Sequence, residues 1–173
     1  MTTFGRTWRC RVVAALFVCP LAACADLRLP TRPSAVAASP AKLVALEGEA
    51  GAGDGQVRER SRASGGRTVH LGPGERRRWT FTLPAVSAPF AVSVTYSNGK
   101  EGENEVILVT LDGTLLSSFQ DRDSGDAIEG WDVFVTDPAG KSTLGSGSHT
   151  LVLGVQGGDG CVEIDMVTLS PAG

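Results

Sequence analysis

The stretch "FAVSVTYS", Phe90 to Ser97, alternates apolar with small or polar side chains, so that Phe90, Val92, Val94 and Tyr96 share one parity. Successive side chains of a strand point to opposite faces, and this pattern therefore predicts a half-buried β-strand. The "SNG" that follows, Ser97 to Gly99, is a turn signal. Trp79, Phe81 and Leu83 alternate in the same way within "RRWTFTL" (Arg77 to Leu83), as do Leu151, Leu153 and Val155 within "SHTLVLGV" (Ser148 to Val155). Short strand-like runs continue on both sides: "LVALEGE" (Leu43 to Glu49), "RTVHL" (Arg67 to Leu71), "EVILVTL" (Glu105 to Leu111), "LLSSF" (Leu115 to Phe119), "WDVFVT" (Trp131 to Thr136) and "VEIDMVTL" (Val162 to Leu169). "LDGT" (Leu111 to Thr114) and "GGDG" (Gly157 to Gly160) supply further turns. No stretch carries a helical period. Many short strands at this spacing predict an all-β, antiparallel two-sheet β-sandwich, with a barrel as the alternative.

The start of the chain belongs to a different class. Arg6, Arg9 and Arg11 form a basic region ahead of the apolar run "VVAALFV" (Val12 to Val18), which is too short to span a bilayer and reads as an export signal. It leads into "LAAC", Leu21 to Cys24, which resembles the lipobox of bacterial lipoproteins. That resemblance implies a signal peptide over 1–23, lipidation at Cys24, and a membrane-anchored lipoprotein exposed to the periplasm or the cell surface; an ordinary signal peptide is the alternative. "ADLRLPTRPSAVAASPA" then reads as a proline-rich tether, 24–41 with the cysteine included. From Lys42 to Gly173 about 130 residues remain, enough for one core.

Of the 4 cysteines in the 173 residues, Cys10 and Cys19 leave with the signal and Cys24 takes lipid, so only Cys161 remains, a buried small residue or a reactive thiol. Without the three arginines of the leader, the 16 Lys+Arg and 19 Asp+Glu leave a net charge of −6 on the remainder. An acidic exported domain is a poor partner for nucleic acid. No nucleophile elbow, zincin helix or P-loop pattern is present, and His70 and His149 have no nucleophile in recognisable sequence context. The chain is expected not to be an enzyme.

Six pieces in order, "EGE", "SRASGGRTVHLG", "VSVTYSNG", "EGWDVF", "LGSGSHTLVLGV" and "VEIDMVTLS", resemble the carbohydrate-binding modules of families 6 and 35 across Leu43 to Ser170. The resemblance implies a galactose-binding-like jelly roll. It further implies a structural Ca²⁺ held by Glu47, Glu49 and Asp165, with backbone carbonyls of the Ser61 to Gly66 segment completing the shell. Glu47 and Glu49, two apart on a strand, would share a face, and calcium takes several hard oxygens at once. Trp131 resembles the tryptophan on which such modules stack a sugar ring, with polar neighbours such as Asp132 fixing orientation, and Phe134 matches a second, buried aromatic. The alternative for Trp131 is a core or rim position.

Two departures bear on specificity. The "GQVRERSR" loop, Gly55 to Arg62, lacks the second aromatic that clamps the ring. Glu163 stands where the family often has asparagine; an acceptor-only carboxylate would take sugar hydroxyls and repel an acidic sugar. "DRDSGD", Asp121 to Asp126, reads as a solvated acidic loop, or else as a second calcium loop beside Trp131. Two function classes follow: a lipoprotein that binds polysaccharide or cell-envelope glycan, and an interaction lipoprotein that keeps the sandwich and docks on a protein partner.

Overall fold

The computed structural model describes residues 43–84, 88–99, 102–125, 130–158 and 160–172. Every described residue belongs to the compact unit Ala37–Gly173. The expected signal, lipidation site at Cys24 and tether lie outside the described residues.

Among the described residues the sandwich has eleven strands: β1 (Val44–Glu47), β2 (Ala52–Gly53), β3 (Gln56–Glu59), β4 (Arg67–Leu71), β5 (Arg76–Leu83), β6 (Ala88–Ser97), β7 (Val106–Leu111), β8 (Thr114–Gln120), β9 (Val135–Leu144), β10 (Gly147–Gln156) and β11 (Val162–Pro171). One sheet runs β3-β4-β11-β6-β9, with β1 also on β11; the other runs β2-β5-β10-β7-β8. All pairings are antiparallel. Phe90, Val92, Val94 and Tyr96 of β6 are all buried, as are Leu151, Leu153 and Val155 of β10 and Trp79 and Leu83 of β5, while Phe81 packs against that core half-buried. The inward faces of the two sheets thus meet as the alternation requires.

The Asp112-Gly113 link between β7 and β8 has φ of +50° and +80°, the left-handed pair that a two-residue hairpin uses. The sequence reading differs from the fold at several places. In "LVALEGE" the strand stops at Glu47 and Glu49 falls in the 3₁₀ turn Gly48–Ala50, so the two glutamates do not share a strand face. Gln56–Glu59, expected as loop, pairs with β4 as an edge strand; its four residues are all exposed and carry no apolar period. Asp137–Leu144 extends β9 through Pro138 as an edge partner of β6, a position that tolerates proline. "WDVF", expected to open a strand, is a turn, and β9 begins only at Val135.

β11 decides where the site forms. It pairs with β4 only as far as Ile164 and takes β1 as neighbour from Met166 onward. Its register against β6 slips between Ile164 and Met166, so Asp165 is the extra residue of a bulge, a device that re-aims a side chain. Gly48 enters this gap; a Cβ there would lie 2.2 Å from the Ile164 carbonyl oxygen.

Candidate functional site

The bulge directs Asp165 at the 3₁₀ turns after β1 and before β4. Asp165 is 3% exposed, and its Oδ1 accepts the Ser64 backbone N–H at 2.8 Å. The Ser64 hydroxyl donates to Glu47 Oε1 at 2.9 Å. Glu47 Oε2 and Glu49 Oε2 are buried without a hydrogen-bond partner, and Glu49 Oε1 lies 3.8 Å from the exposed Arg67 guanidinium. Burial, then the Glu47 and Glu49 charges, push the Asp165 carboxyl up to about 6. Three acids around two unsatisfied buried oxygens are the environment that a hard cation neutralises. Among the described residues no group of three or more His, Cys, Asp or Glu side chains is placed to hold a metal ion on its own. Of the two segment residues expected near it, Ser61 turns its hydroxyl to Asp132, and the Gly66 carbonyl accepts the Arg60 N–H at 3.0 Å. Ser64 of the same segment donates to both Asp165 and Glu47.

Trp131 is half-buried and outside the core cluster. Its indole lies on the backbone of Gly99, where a Cβ would come within 3.2 Å of the ring, and its centroid is 5.8 Å from that of His70. The turn carrying it is pinned to the end of β6: Ser97 Oγ donates to the Trp131 carbonyl at 3.2 Å, the Ser124 N–H donates to Asn98 O at 3.1 Å, and the Asn98 N–H donates to Ser124 Oγ at 2.9 Å. Phe134 is also half-buried and is not part of the core cluster.

Asp132 and Glu163, expected to face ligand, both hold protein groups. Asp132 accepts the Ser61 hydroxyl at 2.5 Å and the Arg62 N–H at 2.9 Å, fastening the Gly55 to Arg62 segment beside Trp131. The Ser61 hydrogen bond leads in holding its carboxyl below the usual range. Glu163 is fully buried. Arg60 grips it in bidentate fashion, Nε to Oε2 at 2.7 Å and an NH2 nitrogen to Oε1 at 2.5 Å, while Thr68 donates to Oε2 at 2.8 Å and His70 Nδ1 stands 3.4 Å from Oε1. Burial opposes ionisation, but the hydrogen bonds from His70, Arg60 and Thr68 prevail and bring the Glu163 carboxyl down to about 2. His70 in turn is pushed up to about 9 by its hydrogen bond with Cys161, then by Glu163, and is a cation at neutral pH. Glu163 is therefore ion-paired with Arg60, with His70 Nδ1 beside it.

Sequence reasoning did not find Arg60 or His70. Arg60 and Glu163 are 103 residues apart, and no local pattern joins them. His70 had a weak signal, since it lies on the opposite parity of β4 from the buried Val69 and Leu71.

The acidic loop is not solvated throughout. Asp121 is 3% and Glu105 1% exposed; the Asn98 amide donates to both at 3.2 and 3.3 Å, and Asp121 Oδ1 is a third buried oxygen without a partner. Burial, then Glu105, push Asp121 up to about 7. Asp123 is exposed, and Asp126 lies outside the described residues.

No protein-family model matches the sequence, and no curated protein is similar to it. Solved structures do match. A family 35 carbohydrate-binding module from Clostridium thermocellum superposes with a TM-score of 0.63 at 18% identity, over 76% of this chain and 99% of that one. The fold is that of a carbohydrate-binding module. The CBM36-1 domain of a multidomain xylanase from the hindgut metagenome of Trinervitermes trinervoides gives 0.54 at 18% identity, over 76% and 99%. An exo-β-1,3-galactanase from Phanerochaete chrysosporium gives 0.60 at 21% identity over 76% of this chain, which spans only 30% of the galactanase.

Proposed function

We propose that the chain is a non-catalytic glycan-binding lipoprotein: a calcium-stabilised module on the tether that follows a lipidated Cys24. The observation that carries this reading is the position of Trp131, an indole outside the core cluster and partly exposed, seated on Gly99 and His70 in a fold shared with carbohydrate-binding modules. An indole so placed offers an apolar plane to the C–H face of a pyranose. Arg60 and His70, partly exposed beside it, add donors and positive charge suited to sugar oxygens, acidic ones included.

Glu47, Glu49 and Asp165, with carbonyls of the adjoining turns, would hold the calcium. The ion would neutralise three crowded carboxylates and fix the turn from which Arg60 and Ser61 reach the Trp131 face. The chain's own residues do the binding: Trp131 stacks, Arg60 and His70 donate, and Asp132 holds the Ser61 to Arg62 turn in place.

The test is calorimetric titration of a chain beginning at Lys42, with calcium and then with β-1,3-galactotriose, manno-, xylo- and uronic oligosaccharides. A melt raised by calcium and a saturable glycan response lost in Trp131→Ala support the reading. A calcium response with no glycan response would favour the lipoprotein that docks on a protein partner. Labelling of the full chain with radioactive palmitate, abolished by Cys24→Ser, tests the anchor.

A further inference from the structure

The end of the sandwich that carries Trp131 holds a second group of buried oxygens. Asn98 follows β6, Glu105 precedes β7 and Asp121 follows β8, and all three are 5% exposed or less. The Asn98 amide nitrogen donates to Glu105 Oε2 at 3.3 Å and to Asp121 Oδ2 at 3.2 Å, so one atom draws the two carboxylates to a common point. The Gly160 N–H donates to Glu105 Oε1 at 3.0 Å. Gly158 lets the link between β10 and β11 close over that carboxylate: a Cβ there would stand 2.6 Å from Glu105 Oε1 and 2.8 Å from the Glu103 carbonyl oxygen. Asp121 Oδ1 is buried and has no partner. Arg122, the next residue, turns its guanidinium to Asp137, and among the described residues no ion pair reaches Glu105 or Asp121. Two buried carboxylates held by neutral N–H donors are costly when both are ionised. A shared proton would cancel one of the charges; a divalent cation cancels both and gives Asp121 Oδ1 a partner.

We propose that Glu105 and Asp121 hold a calcium ion of their own, with Asn98 Oδ1 and the Glu103 carbonyl oxygen as further ligands. Two acids are too few to surround the ion, which takes six to eight oxygens. Turning the Asn98 amide by half a turn exchanges its nitrogen for its oxygen at the same place, so the residue that bridges the carboxylates as a donor without the ion becomes an oxygen ligand with it. The ion would join the ends of β6, β7 and β8 beneath the link from β10 to β11. Asn98 also carries the turn that presents Trp131: its N–H donates to Ser124 Oγ at 2.9 Å, and Ser124 Oγ lies 2.8 Å from the Gly130 carbonyl oxygen. Occupancy would therefore stiffen that turn. The site shares no residue with Glu47, Glu49 and Asp165, so each can exist without the other.

The test is equilibrium dialysis of the full chain against radioactive calcium up to about 10 mM, tenfold above the weak end of extracellular calcium sites, with Asp121→Asn, Glu105→Gln and Asp165→Asn run alongside and a melting curve in EDTA for each. Asp121→Asn and Glu105→Gln remove charge and keep an acceptor, so both are expected to melt in EDTA no lower than wild type. Each is expected to bind one calcium fewer per chain than wild type, and to gain less in melting temperature when calcium is added. Asp165→Asn is expected to keep the ion at Glu105 and Asp121, so a loss there reads only the other site. A folded Asp121→Asn or Glu105→Gln chain that binds as much calcium as wild type would overturn the proposal and leave the pair held by a shared proton.

Discussion

Replacing Asp165 with asparagine tests whether the bulge carboxylate is a crowded charge that needs a cation. Asp165 is 3% exposed, accepts one backbone hydrogen bond from Ser64, and has its carboxyl pushed up to about 6, first by burial and then by Glu47 and Glu49. A carboxyl raised in the folded state weakens the fold once it ionises: the penalty is absent below about pH 4, grows between 4 and 6, and is complete above 6. Moving a carboxyl from about 3.9 to about 6 costs about 3 kcal/mol at neutral pH. Asparagine keeps the acceptor for Ser64 and removes the charge. In EDTA at pH 7.5 the Asp165→Asn domain is therefore expected to resist urea by about 2–3 kcal/mol more than wild type, equivalent to roughly 8 °C in Tm for a domain of this size, with the difference vanishing near pH 4. Calcium should reverse the order. A site at a hundred times its Kd gains about 2.7 kcal/mol, and the variant, short of one hard charged ligand, gains far less. Paired urea titrations with EDTA and with calcium, at pH 4 and 7.5, give all the required differences. An asparagine variant that is less stable than wild type in EDTA at pH 7.5 would refute the reasoning, because Asp165 would then be an ordinary satisfied buried acceptor.

Three further perturbations separate site from scaffold. Trp131→Ala should lower glycan affinity at least tenfold while costing only about 1 kcal/mol in urea unfolding, because half-exposed surface contributes less than full burial; Trp79→Ala, in the core, should cost about 3–5 kcal/mol. Arg60→Met leaves the Glu163 charge buried without its bidentate partner, a loss of about 3 kcal/mol at pH 7. That loss should fade in acid, because Glu163, held down at about 2, contributes stability present above its unfolded value near 4.5 and lost as pH falls through 2; urea titrations from pH 7 to 2 follow it. Gly48→Ala places a Cβ 2.2 Å from the Ile164 carbonyl oxygen, so the backbone must shift; a loss of about 2 kcal/mol or more and a weakened calcium response are expected, read by melts with and without the ion.

The strands with an inward face were legible because burial imposes a period: Phe90 to Tyr96 and Leu151 to Val155 bury the side chains that the alternation marks. The edge strands Gln56–Glu59 and Asp137–Leu144 were not, because their pairing is carried by backbone hydrogen bonds that leave no side-chain signature, and Pro138 argues against a strand until its edge position is known. The acids Glu47, Glu49 and Asp165 could be read from the sequence, but the bulge that aims Asp165 at them could not, since it arises where β11 changes neighbours. Glu163 matched by Arg60 and His70 instead of open to ligand depends on contacts between segments about a hundred residues apart.

The central claim is that the Trp131 face binds glycan. Titration calorimetry of the calcium-loaded domain with neutral and uronic oligosaccharides, run beside Trp131→Ala, tests it most directly. Saturable heat with wild type for at least one oligosaccharide, absent with the variant at unchanged fold, is the predicted result; equal heats for the two proteins, or none from any oligosaccharide with wild type, would contradict it.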